Sequence, residues 1–244
     1  MISDGVYAVN ANGKLIDYTT ADSTALGVAL VAGEHKFMIA KSDATDGSNS
    51  TLYWTKSYSD LSLTNYNKVD GTNSSGYLPK PDGTFGGSTH LSGDFTTWKA
   101  GALSDFNGKA NTAIIAAASS DARDMCTVLN TFNTSDSYND WYVPACGQLA
   151  LMYLAKTDIN AALAKIGGTA LESLYYWSSS EYDAGGAWYV GFDYGYVYND
   201  DKYNGSRVRF IRDIPVPKPL KERVSDLESQ LGDINTILES IING

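Results

Sequence analysis

At 244 residues, 43% of them apolar and 12% aromatic, the chain has material for one large domain or two small ones with a well-buried core. A net charge of -10, a pI near 4.5 and no clustered basic face argue against a nucleic-acid partner. The longest apolar run, residues 113–118, is far too short to span a bilayer, so no membrane insertion is expected.

Residues 1–18 lack a basic segment followed by an apolar core, which reads as a soluble chain made in the cytoplasm. Gly, Asn, Asp, Ser, Thr and Tyr are abundant, which predicts a turn-rich α+β fold with helix in the minority. Residues 5–16 predict a β-hairpin turning at Asn12 and Gly13. Two strand-like runs follow over 25–39, broken at Ala32, Gly33 and Glu34. Residues 42–93 carry little periodicity and read as long solvated loops between short strands. Helical spacing then predicts three packing helices: 109–130, 145–156, and 158–166 with Asp158 as N-cap and Gly167 and Gly168 as the stop. Cys126 and Cys146 lack CxxC spacing. They read as buried thiols, with a single disulfide as the alternative.

Over residues 175–212 the pattern returns to strands, with Trp188, Val190 and Phe192 alternating against Tyr189, Gly191 and Asp193. Pro215, Pro217 and Pro219 then make residues 214–219 a stiff linker. Beyond it, Leu220, Val224, Leu227, Leu231, Ile234, Leu238 and Ile241 recur at alternating spacings of four and three, a heptad repeat that predicts a coiled-coil helix over 220–244. With Val224, Leu231 and Leu238 at a, and Leu227, Ile234 and Ile241 at d, three or four strands are favoured over two, and a homotrimer is expected. The plainer alternative is an amphipathic helix packed on its own domain.

The most specific segments are residues 176–212 and 140–149. Their framework positions include Trp177, Ser178, Ser179, Ser180, Glu181, Ala187, Trp188, Val190, Phe192, Gly195, Val197, Lys202, Arg207, Val208, Arg209 and Arg212. With these residues the chain resembles the C-type-lectin-like variable proteins of diversity-generating retroelements, found in phages and gut bacteria. Ala145 departs from that pattern, standing where relatives often carry a helix-capping Ser, while Gln148 keeps the reciprocal partner. The resemblance implies a C-type-lectin-like fold over residues 1–213, with short antiparallel strands, two or three packing helices and long loops. It also implies a ligand-binding display function. Trp177, Glu181, Trp188, Arg207 and Arg209 would then be scaffold, with Glu181 either pairing with one of the arginines or standing as an unrelated surface charge.

Between the framework positions, Asp183, Gly185, Gly186, Tyr189, Gly191, Asp193, Tyr194, Tyr196, Tyr198, Asn199, Asp200, Asp201, Tyr203, Asn204, Gly205 and Ser206 draw on only five residue types. All five are reachable from an Asn codon by changing its adenines, the mutational signature of that family's reverse transcription. Strand alternation turns this set outward, and a tyrosine surface with small polar neighbours has the composition of an antibody paratope. Eight of the chain's 17 tyrosines fall in residues 175–203. Ordinary cross-strand pairing is the plainer alternative. The expected partner is a host cell-surface protein or glycan, met by a phage particle. Virion decoration and a bacterial cell-surface location are the alternatives, with other virion proteins as further partners.

An enzyme resembling formylglycine-generating oxidoreductases is a weaker reading. His35 and His90 are isolated, and neither cysteine has basic neighbours to stabilise a thiolate. No cofactor is expected. Asp193 with Asp200 and Asp201 is the alternative, a calcium site, since hard cations want several oxygens, but the segment lacks a fixed ligand pattern.

Overall fold

The computed structural model describes residues 3–135 and 138–214, together with Leu231 and Ile234. Among the described residues it is a mixed α+β fold of nine strands and four α-helices. Strands β1 (Gly5–Val9), β2 (Leu15–Ile16), β3 (Gly27–Ala32), β4 (His35–Ile39) and β9 (Ile211–Asp213) form an antiparallel sheet in the order β2-β1-β3-β4-β9. Strands β5 (Gly76–Tyr77), β6 (Tyr175–Glu181), β7 (Gly186–Gly191) and β8 (Tyr196–Asp201) form a second, in the order β5-β8-β7-β6.

The hairpin forms where its turn chemistry places it. Asn10 accepts the amides of Asn12 and Lys14 at 3.0 Å, and Gly13 takes φ 75°, a conformation closed to most side chains. Strand β3 is buried along its whole length, because both its faces are covered. Val28 and Leu30 enter a core with Leu149, Leu163, Trp188 and Phe192, whereas Ala29 enters one with Trp54, Trp177, Ile115 and Leu129. Residues 42–93 contribute only β5 and isolated bridges to the sheets, as their composition predicts.

The helix expected over 109–130 is two helices, α1 (Gly108–Ala118) and α2 (Met125–Ser135). Asp124 makes the break. Its carboxylate accepts the amides of Ser120, Asp121 and Lys56 at 2.8–3.1 Å, and its carbonyl receives the Val128 amide as α2 begins. Helices α3 (Cys146–Leu154) and α4 (Lys156–Lys165) follow, meeting at Ala155. Asp158 therefore sits in the first turn of α4 rather than at its cap, still at the end where the helix dipole favours an acid. Gly167, at φ 72°, turns the chain so that the Gly168 amide reaches the Leu163 carbonyl at 2.8 Å.

The weak cap expected at Ala145 is made good from outside the helix. The Cys146 amide donates to Ser180 Oγ at 2.9 Å, the Gly147 amide to the Asp105 carbonyl at 2.9 Å, and Gln148 Oε1 accepts the Ala145 amide at 2.9 Å. Among the described residues no helix is long and apolar enough to cross a membrane. Of the heptad positions, Leu231 and Ile234 are helical and exposed; Leu220, Val224, Leu227, Leu238 and Ile241, with the prolines of the linker, lie outside the described residues.

Cys126 and Cys146 are free and buried. Burial, with Asp124 nearby, pushes the Cys126 thiol up to about 12; burial, with Asp105 nearby, raises Cys146 well above the ordinary value. Neither thiol of the native protein is therefore expected to react with a thiol reagent at about pH 8, and both react in urea. Stoichiometric labelling without denaturant would contradict this packing.

Candidate binding surface

Strand β7 turns Trp188 and Val190 inward, both fully buried, β8 adds Val197, and Ala187 is buried on the opposite face, the one that carries Tyr189. Their register with the outward residues follows from the pleat: Tyr189 lies opposite Tyr198, Val190 opposite Val197, and Tyr77 of β5 opposite Tyr196. The outward rings form a row across the sheet. Tyr175 meets Tyr189 with ring centroids 5.1 Å apart, Tyr189 meets Tyr198 at 6.3 Å, Tyr198 meets Tyr196 at 5.5 Å, and Tyr196 meets Tyr77 at 4.7 Å. Such cross-strand pairs stiffen the sheet while leaving ring faces and edges for a partner. Tyr194, Tyr175, Tyr203 and Tyr198 remain 55, 48, 40 and 39% exposed. Tyr189, at the middle of the row, is half-buried, and burial raises its phenol well above the ordinary value.

Tyr194 and Tyr203, which flank the row, rest on residues outside the 183–206 segment. At the β7–β8 turn, Gly195 takes φ 74°, and Tyr194 packs so closely on Gly86 that a Cβ there would lie 2.6 Å from Tyr194 Cβ. The Lys80 ammonium stands 5.0 Å from the centre of the Tyr194 ring. Past the end of β8, Tyr203 stacks on Tyr53 at 4.5 Å, and the Arg123 guanidinium lies 4.2 Å from the Tyr53 ring while donating to its hydroxyl at 2.8 Å. Tyr58 donates its hydroxyl to Asp201, which pushes the phenol up to about 12. Tyr53, Tyr58, Tyr77, Lys80 and Arg123 were not singled out by the sequence. Their signal was tyrosines scattered through aperiodic loops, which reads first as solvated connection.

Asp183, Asp193, Asn199, Asp200, Asp201 and Asn204 are exposed or half-exposed around the row, as is Gly185. Gly186, Gly191 and Ser206 are not part of the accessible face. Gly191 is covered by the Tyr175 ring, which a Cβ would meet at 3.1 Å, and Gly186 by the Tyr182 ring at 3.2 Å. Ser206 exchanges backbone hydrogen bonds with Leu52 at 2.8 and 3.0 Å and is buried. Asp193 precedes β8 while Asp200 and Asp201 lie at its far end, roughly 13 Å of strand away, so the three are not brought together for a cation. Among the described residues no group of acidic, histidine and cysteine side chains has metal-binding geometry. His35 stacks on Phe106 and His90 on Phe85; burial lowers the His35 pKa.

The scaffold beneath is polar and paired. Glu181 and Lys202 are fully buried against each other, which corrects the expected pairing of Glu181 with an arginine. Lys202 Nζ also donates to the carbonyls of Ser59 at 2.9 Å and Ala184 at 3.0 Å, using the three donors of an ammonium, and stands 4.8 Å from the Trp54 ring. The arginines go to Asp43 instead: Arg209 Nε donates to it at 2.6 Å, and Arg207 approaches it at 3.8 Å while reaching Glu172 at 3.1 Å. Arg209 also reaches the carbonyls of Ala40, Thr169 and Ala170 at 2.9–3.2 Å.

The three serines sit where β6 loses its register with β7. Ser178 Oγ donates to the Trp188 carbonyl at 2.7 Å, and Ser180 Oγ to Asp105 at 2.6 Å. Each buried indole N–H finds a carbonyl: Trp54 that of Ser178, Trp177 that of Leu52, Trp188 that of Tyr66. Replacing Lys202 by Met would strand Glu181 in the core and is expected to cost about 3–5 kcal/mol in urea unfolding. A loss below about 1 kcal/mol would show that the pair does not hold the site together.

Against known proteins, the family model described as the Lcl C-terminal domain matches residues 44–212. No curated protein matches. Among solved structures, a fimbrial protein from Bacteroides ovatus ATCC 8483 is similar in fold, with a TM-score of 0.54 at 16% identity over 87% of this chain. The chain spans 49%, about half, of that protein's length. The family match runs through more than half of the sequence and takes in the tyrosine row, the Glu181–Lys202 pair and the residues on which the variable-protein resemblance rests. The chain belongs to the Lcl C-terminal domain family.

Proposed function

We propose that this chain is a non-catalytic, adhesin-type binding protein whose C-type-lectin-like domain presents the tyrosine row to a cell-surface protein or glycan. The observation that carries this reading is the separation of roles along one segment. Inward residues of β7 and β8 are buried and fixed, while Tyr189, Tyr196 and Tyr198 face outward on a sheet whose register is already determined and Tyr194 stands exposed on the turn between the strands. Tyrosines supply large contact area with few rotatable bonds, and the Asp, Asn and Gly residues around them supply adaptable hydrogen bonds. A binding surface needs no further chemistry.

Two exteriors suit such a surface, a phage particle and a bacterial cell. The fold similarity to a fimbrial protein favours the cell, and the resemblance to retroelement variable proteins is compatible with both. The heptad positions of residues 220–244 would gather three copies, so that weak individual contacts add as avidity.

The test uses fluorescent full-length protein on a panel of intact bacterial and epithelial cells. On cells that retain the parent, a variant with Tyr189, Tyr194, Tyr196 and Tyr198 all changed to Ala should lose about tenfold or more in apparent affinity, with its circular dichroism unchanged. Parent-level binding by that variant would refute the assignment.

A further inference from the structure

We propose that the cleft between the loop of residues 42–49 and helix α2 is a second binding site, for a neutral mono- or disaccharide. The cleft encloses about 590 Å³, within the roughly 300–1,000 Å³ typical of small-molecule sites, and none of its lining residues belongs to the tyrosine surface.

Its chemistry narrows the ligand. On α2, Thr127 with Thr131 and Val128 with Phe132 are each four residues apart, so hydroxyls and apolar groups run side by side along the wall. Val128 is buried, and Phe132 is half-buried with its ring set edge-to-face against Trp141 at 5.6 Å and Phe210 at 5.2 Å. A fixed aromatic surface of this kind suits the C–H face of a sugar ring. Facing α2, Ser42 and Ser48 add hydroxyls; with that of Thr127 they make no hydrogen bond among the described residues, and each can donate or accept.

Charge argues against anionic ligands and simple cations. Among the described residues no lysine, arginine or histidine lines the cleft, and Arg123 acts on Asp46 only from beside it, so phosphates, sulfates and acidic sugars would meet chiefly carboxylates. Asp43 is matched by Arg209 at 2.6 Å, which removes its pull on a cation. Asp46 accepts the Asn49 side chain at 2.8 Å and the amides of Ser48 and Asn49 at 2.8 and 2.6 Å, and these bonds hold its carboxyl below the usual carboxylate range. Its remaining acceptor capacity suits the hydroxyls of a neutral ligand.

The loop is already in shape. Thr45 Oγ1 donates to the Asn49 carbonyl at 2.9 Å and accepts the Gly47 amide at 3.0 Å, and the Ala44 amide is tied to the Val208 carbonyl at 2.8 Å. Binding would therefore cost little ordering.

Saturation-transfer NMR on the full chain tests this, with galactose, mannose, N-acetylglucosamine and lactose at millimolar concentration, and sialyllactose as the anionic probe. At least one neutral sugar should give a signal. Thr131→Trp, which fills the cleft from the exposed side of α2, should abolish it. Thr127→Val should weaken binding about threefold or more, and Asp22→Ala, exposed and outside both the cleft and the tyrosine row, should leave it unchanged. Silence from all four sugars, a signal that survives both α2 variants, or equal binding of sialyllactose would overturn the proposal. The tyrosine row is read by cell binding and the cleft by free sugars, so failure here is distinguishable from failure of the tyrosine row.

Discussion

The ammonium of Lys202 is the point on which the binding surface depends. It is fully buried at the end of β8, and its three hydrogen bonds run to the Glu181 carboxylate, to Ser59 in the long loop and to Ala184 in the β6–β7 turn. The loop at Ser59 and the β6–β7 connection at Glu181 and Ala184 are thereby fixed to one atom. Burying two charges is expensive, and an apolar pair of the same volume would often stabilise as much. An apolar pair would not impose the same geometry, because dispersion is nearly indifferent to direction whereas a three-donor ammonium is not.

The same logic runs through the indoles and arginines. Trp54, Trp177 and Trp188 each spend their one N–H on a carbonyl of another segment, and Arg209 ties β9's approach to residues 40, 43, 169 and 170. These bonds hold the frame from its inner side. The outer side chains of β7 and β8 are therefore free of structural duty except where they are covered. Gly191 beneath Tyr175, Gly186 beside Tyr182 and Ser206 in its bridge to Leu52 mark those limits, and they narrow the adaptable set to the exposed tyrosines and their acidic and amide neighbours.

Local patterns were legible in the sequence: the hairpin at Asn12 and Gly13, the alternation of Trp188, Val190 and Phe192, and the Gly167 stop all depend on neighbours within a few residues. What was missed depends on distance along the chain. Lys202 and Ser59 are 143 positions apart, and Trp54 and Ser178 are 124 apart. No periodicity reports such a contact, so Glu181 could not be assigned to Lys202 rather than to an arginine. The same limit hid Tyr53 and Tyr58, whose loop gains its role only when Tyr203 and Asp201 fold against it. The division of residues 109–130 was hidden differently. Its helical spacing continues on both sides of Asp124, and the break is made by that carboxylate, which accepts the amides of Ser120 and Asp121 beside it and of Lys56 far away in sequence.

The central claim is that the inner side of β6–β8 fixes the fold while the outer side is free to vary. Its most direct test is a saturation substitution scan of residues 177–209, scored by protease resistance of the displayed full chain. Positions 189, 194, 196, 198, 201 and 204 should accept most substitutions, while Glu181, Trp188, Gly191, Lys202 and Arg209 accept almost none. Equal intolerance on both sides would contradict the account.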